Sequence, residues 1–296
     1  MKKKPILVTG AHRSGSTWVG KILSASPKMR YVHEPFNPQR QYPVPPIKTW
    51  FLHLGKFTRE KEQADIRKYL KAFLDTSIGS IRATMAPSKR RLSLLRELRS
   101  RWLRRTVFKD PIALLSAEWM YDNMNCDVVI VVRHPAAFVA SLKVKDWQFN
   151  FHNFLRQEQL MNGYLKEYAN EIKAYSENNE DIIKQGVLLW NCLYSTVKAY
   201  QSKYGNSWYF VTHEALSEQP IEEFKSMYGF LEIPWSQEVA NEIGKTTQGL
   251  HSDGNHLRDS KKNIHTWKER LSTDEVQKIK DGTREVWEHF YSESDW

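Results

Sequence analysis

Two glycines five residues apart, Gly10 and Gly15, stand between an apolar run, Ile6-Leu7-Val8-Thr9, and a helical pattern carrying Trp18, Val19, Ile22 and Leu23. A continuous apolar run that ends at glycine reads as a strand in the middle of a parallel sheet. A strand, a tight turn and a helix in that order turn backbone N–H groups and a helix N-terminus towards one point, where an oxyanion is stabilised. The stretch Gly10-Ala11-His12-Arg13-Ser14-Gly15-Ser16-Thr17 has the G-x-x-x-x-G spacing of a nucleotide phosphate loop. Such a loop ordinarily continues with Lys, but Ser16 stands there, so the ammonium that holds a γ-phosphate is missing. Arg13 supplies a cation inside the loop instead, with a planar fork that suits two oxygens of a phosphate or sulfate.

Further apolar runs fall at Tyr31-Val32, Thr106–Phe108, Val128–Val132 and Trp208–Val211. Helical patterns lie over Ala113–Tyr121, Ala136–Leu142, Ile182–Tyr204 and Ile221–Leu231, and Ser272 is placed to cap a last helix. This alternation predicts an α/β fold: a mostly parallel sheet of about five strands, helices on both faces, and a helical insertion between strands two and three. Without internal repeats, residues 1–296 read as one domain. Residues 36–105 form its insertion, extended where Pro38, Pro43, Pro45 and Pro46 cluster, and expected to bind a substrate. Eleven Trp, 13 Tyr and 13 Phe exclude a disordered chain. The longest uncharged apolar run, Val128–Val132, excludes a membrane span. Cys126 and Cys192 both lie among apolar residues, which points to a reducing, cytoplasmic setting rather than a disulfide framework.

The net charge of +10 is one local excess. Between Arg82 and Lys109, ten basic residues face one acid, Glu97. A polyanion-binding protein using segment 82–109 is one reading, but Trp102 and Phe108 are too few aromatics to stack single-stranded bases. Nucleic acid is therefore not expected as the main partner.

Val128–Val132 ends in Arg133-His134-Pro135, and ligands of open parallel sheets lie beyond the carboxyl ends of strands. Arg133 is thus placed to meet the ligand of the Gly10 loop, with Ser141 two helical turns further on. A kinase would end such a strand in a metal-ordering acid; Asp110, after the third run, keeps a P-loop kinase or NTPase open as an alternative. Glu34, in His33-Glu34-Pro35-Phe36, follows the second strand, and Pro35 predicts an extended Glu34. A carboxylate there serves as a general base, with Asp110 and His33 as the other candidates. No His-Glu-x-x-His, Cys-x-x-Cys or Asp-rich loop occurs, so no metal is expected.

Val8 through Trp18 resembles the 5′-phosphosulfate loop of sulfotransferases that use 3′-phosphoadenosine 5′-phosphosulfate (PAPS). Its Arg-Ser-Gly-Ser-Thr form is similar to the carbohydrate-acting branch; the small-phenol and steroid branch usually has Lys where Arg13 stands. The resemblance implies that Arg13, Ser14, Gly15, Ser16, Thr17 and Trp18 wrap the 5′-phosphate and the sulfuryl group. Arg133 and Ser141 resemble the family's 3′-phosphate motif, and Arg258, with Lys261, Lys262 and Trp267-Lys268, its late clamping segment. Lys109 resembles a Lys that neutralises the sulfuryl oxygens, and Glu34 a Glu of the carbohydrate branch. Two departures are visible: Pro111 stands where the cytosolic branch has a His, and His213 stands where a Tyr usually precedes Glu214. The implied activity is sulfuryl transfer from PAPS to a hydroxyl of a carbohydrate or glycoconjugate.

Overall fold

β1 (Ile6–Gly10) is buried at every position, as its unbroken apolar sequence requires. It pairs in parallel with β3 (Arg105–Lys109), with Ile6 opposite Val107 and Val8 opposite Lys109. On the far side of β3 runs β2 (Met29–His33), again parallel, with His33 opposite Lys109. β4 (Asp127–Val132) and β5 (Tyr209–Thr212) complete a five-stranded parallel sheet in the order β2-β3-β1-β4-β5, flanked by helices. The computed structural model describes residues 3–86, 90–178, 180–247 and 264–296, without the side chains of 90–92. The expected α/β architecture is the observed one.

The chain gathers into two compact units, Met1–Gly10 with Ser16–Val129, and Ala11–Gly15 with Ile130–Trp296. In the first, α1 (Ser16–Ala25) packs on β2 and β3. Gly20 permits that approach: a Cβ there would come within 2.9 Å of both the Lys109 stem and the Tyr31 ring. The insertion carries α2 (Glu60–Leu74), α3 (Ile78–Thr84) and α4 (Arg90–Leu103), while the proline-rich stretch before them forms no helix or strand. After β3, the helix expected over Ala113–Tyr121 is split into a 3₁₀ turn, Pro111–Ser116, and α5 (Ala117–Met124). The cause is local. The Asp110 carboxylate accepts the Ile112 N–H at 3.0 Å, and the Ser116 hydroxyl leaves the helix to bond Leu52 and Leu54.

In the second unit, α6 (Pro135–Lys145) follows β4 with Pro135 in its first turn, the position where a missing N–H costs nothing. The long apolar pattern at Ile182–Tyr204 forms one 23-residue helix, capped by Asp181, whose carboxylate accepts the N–H groups of Ile183 and Lys184. Ser272 caps the helix Thr273–Gly282 through a reciprocal capping box with Glu275. No helix among the described residues is long and apolar enough to cross a membrane.

Candidate active site

In the second unit the segment after β1 is shaped by backbone conformations that few residues tolerate. Gly15 has φ +94°, and a Cβ on it would lie 2.4 Å from His213 Nδ1. Arg13 itself has φ +67°, so the N–H groups around it change direction within the turn. Its Nε donates to the Ser141 hydroxyl at 2.9 Å, and its guanidinium lies 5.8 Å from the centre of the Trp147 ring. Arg133 donates from Nη1 to the Arg13 carbonyl. Loop, Arg133 and Ser141 thus meet in one cluster, as the strand-exit argument expects.

Arg133 is held from behind by Tyr194 and Trp190, and its neighbour His134 by Glu214. Its N–H donates to the Tyr194 hydroxyl at 3.1 Å, and Trp190 Nε1 donates to its carbonyl at 2.9 Å. Glu214, at the start of the helix His213–Glu218, takes the His134 N–H at 3.3 Å and the Tyr291 hydroxyl at 2.8 Å. Burial raises the Glu214 carboxyl pKa and the nearby Arg133 charge opposes that rise. The signal for this support was available: an acid opening a helix straight after β5. Two polar atoms in the cluster, Arg133 Nε and the Ser14 hydroxyl, are buried with no hydrogen-bond partner. Unpaired buried donors of this kind fit an anionic ligand, and together with the turned backbone they fit phosphate groups.

In the first unit, Lys109 is 1% exposed and its Nζ lies 2.5 Å from Glu34 Oε1. Asn37 Nδ2 donates to the other Glu34 oxygen at 3.1 Å, and His33 Nε2 lies 3.8 Å from that oxygen. Glu34 is not extended, which corrects the expectation drawn from Pro35: its φ is +42°. The physical reason is a turn. The Glu34 N–H continues the ladder to the Lys109 carbonyl at 2.8 Å, while its own carbonyl accepts the Asn37 N–H, placing Pro35 at the second turn position. Burial raises the Glu34 carboxyl pKa, but the hydrogen bond and charge of Lys109, with His33 and Asn37, outweigh it and hold the group below its ordinary value.

Asp110 is fully buried, and its two oxygens accept the N–H groups of Phe36 at 2.5 Å and Ile112 at 3.0 Å. Burial pushes its pKa up to about 7. With both oxygens facing backbone donors it anchors the turn at Pro35 to the end of β3. Ser16, Thr17 and Trp18 open α1, with Ser16 buried and Thr17 exposed. Arg258, Lys261 and Lys262 lie outside the described residues. The basic segment is not one solvated patch. Arg101 is buried against Glu97, the carbonyls of Ala72 and Asp75, and Thr84; Arg105 pairs with Asp127; Lys109 pairs with Glu34. Among the described residues no group of three or more His, Cys, Asp or Glu is arranged to hold a metal ion.

The sulfotransferase domain family model matches residues 3–293. The chain belongs to the sulfotransferase family. Members of this family use PAPS, and the protein is a PAPS-dependent sulfotransferase. Its fold is similar to the sulfotransferase domain from the curacin biosynthetic pathway, at 16% identity and TM-score 0.50, over 94% of this chain and 96% of that one. A mouse sulfotransferase, SULT7A1, complexed with PAP, matches at 12% identity and TM-score 0.48, over 100% and 88%. A sulfotransferase from Alicyclobacillus acidocaldarius matches at 13% identity and TM-score 0.46, over 97% and 93%. No curated protein matches the chain by sequence.

Proposed function

We propose that this sulfotransferase transfers the sulfuryl group of PAPS to a hydroxyl of a carbohydrate or glycoconjugate, with Glu34 taking the acceptor proton. The observation that carries the reading is the pair of Glu34 with a buried Lys109, each at the carboxyl end of a strand of the parallel sheet. When bound, PAPS supplies an activated sulfur, whose bond to the phosphate oxygen breaks as the acceptor oxygen bonds to it.

Residues Arg13 to Trp18 hold the 5′-phosphosulfate end through loop N–H groups and the Arg13 fork. Arg133 and Ser141 hold the 3′-phosphate, with Arg258 assigned to the same group. Ser141 accepts its bond from Arg13, so its own O–H proton is left to donate to a phosphate oxygen. Glu34, held ionised by Lys109, removes the hydroxyl proton as the acceptor oxygen becomes nucleophilic. Once Glu34 carries that proton its attraction for Lys109 falls, and the ammonium turns to the charge developing on the transferring oxygens. Asp110, the rival base, has both oxygens committed to backbone N–H groups. A sugar acceptor is supported by Arg13 in place of Lys, by Pro111 in place of His, and by the Trp147 ring, 48% exposed beside Arg13. Two buried, unpaired cysteines support a cytoplasmic setting.

Two measurements test this. In a thermal melt with EDTA, adenosine 3′,5′-bisphosphate at about a hundred times its Kd is expected to add about 2.7 kcal/mol, a shift of several degrees. Arg133→Ala and Ser141→Ala are each expected to shrink that shift and spare the response to a 5′-monophosphate. A larger, Mg²⁺-dependent shift with ATP would sink the assignment and favour a kinase. With labelled PAPS, label is expected to reach a panel of neutral and acidic glycans; label reaching only small phenols would remove the carbohydrate acceptor.

A further inference from the structure

Helix α4 turns much of its apolar surface to water. A surface helix ordinarily buries its apolar stripe and turns its charges to water. Here Leu94 and Leu98 are half-buried, but the most deeply buried side chain is a charged one: Arg101, with Nη1 donating to the carbonyls of Ala72 and Asp75 and Nε bound to Glu97 at 3.0 Å. Glu97 also takes Arg30 Nη2 at 2.5 Å. These bonds tie α4 to the end of α2 and to β2 through charge. Three further apolar side chains face outward. Leu95 is 80% exposed, Trp102 79%, and Leu103 is exposed beside them.

Leu95, Arg99 and Trp102 follow one another at spacings of four and three, so they line a single face. Arg96 and Leu103 flank it, and Arg104 continues it beyond the helix. Arg96, Arg99 and Arg104 are exposed and enter no ion pair among the described residues. The face therefore combines fixed positive charge with three large apolar side chains held in water. Charge alone would fit any polyanion, but a soluble polyanion offers nothing to bury Leu95, Trp102 and Leu103. An anionic bilayer offers both, since arginines meet headgroups while Trp and Leu enter the interface below them.

We propose that the outer face of α4 docks the enzyme on an anionic lipid surface. The experiment is co-sedimentation of the full chain with vesicles of phosphatidylcholine alone or with about one third phosphatidylglycerol. Binding is expected to the mixed vesicles and not to phosphatidylcholine. Each of Arg96→Ser and Arg99→Ser is expected to lower the partition coefficient about fivefold. Trp102→Ser is expected to lower it by about tenfold while leaving retention on heparin unchanged. The three side chains are exposed, so these variants are expected to keep the parent melting temperature. Three results would overturn the proposal: no binding to the mixed vesicles, vesicle binding indifferent to Trp102, or a solution dimer that Trp102→Ser dissolves. The second would mark a charge-only polyanion site and the third a contact between copies of this chain.

Discussion

Glu34→Gln is expected to cut turnover by ~10²–10⁴, the range for losing a general base. Affinity for adenosine 3′,5′-bisphosphate is expected to stay nearly unchanged, because Glu34 has no assigned contact to either phosphate. The glutamine carbonyl can still accept a hydrogen bond from Lys109, but an amide cannot take the acceptor proton. The substitution also leaves a buried ammonium beside a neutral group, so some loss of stability accompanies it. A thermal melt separates that loss from chemistry: a variant folded at the assay temperature that still turns over slowly reports the missing base. Parent-like turnover would remove Glu34 from the mechanism and promote His33, its neighbour. Burial, with the charge of Lys109, lowers the His33 pKa, so its ring is neutral and able to accept a proton at pH 7.

Lys109→Met is expected to be as visible, and in two ways. Turnover falls by ~10²–10³, the usual cost of deleting one charge-stabilising donor. The acid limb of the kcat–pH profile also moves to higher pH. In the parent, burial raises the Glu34 pKa, and Lys109, with His33 and Asn37, more than offsets it. Without the ammonium, burial prevails, the carboxyl stays protonated to higher pH, and less base is present at a given acid pH. An acid limb that does not move would contradict the Glu34–Lys109 coupling, whatever happened to the rate.

Stability follows the same linkage. Because the Glu34 pKa is depressed in the folded state, it contributes stability that is full above its ordinary pKa and lost as pH falls through the folded one. Asp110, raised to about 7, acts in the opposite sense: it favours the fold at acid pH, and that contribution is lost as pH rises from the ordinary carboxylate range to about 7. Above the ordinary carboxylate range the Glu34 contribution is constant, and Asp110 alone lowers stability as pH rises towards 7. In Lys109→Met only the Asp110 contribution keeps its sign, so the variant's deficit relative to the parent is expected to grow from acid to neutral pH.

What the sequence determined by itself is what depends on neighbours in the chain. The apolar runs at Ile6, Val107 and Val128 became strands because burial on both sheet faces demands continuous apolar sequence. The helix Ile182–Tyr204 was legible to the residue, since its period is long and Asp181 marks its start. Gly10 and Gly15 marked the tight turn after β1 because glycine adopts a positive φ at little cost. Tertiary structure decided the rest. The bond from Arg13 to Ser141 joins residues 128 positions apart, and strand order rather than local sequence brought them together. Pro35 restricts Glu34 only through local sterics, and the ladder bond to Lys109 with the turn to Asn37 overrode the extended conformation. Composition showed a block of charge in segment 82–109, but only packing separated Arg101, Arg105 and Lys109, spent on internal partners, from Arg96, Arg99 and Arg104, left on the surface. The reason is the same in each case: a side chain's partner depends on which segments the sheet places side by side, and a periodicity of two or 3.6 residues carries no record of that.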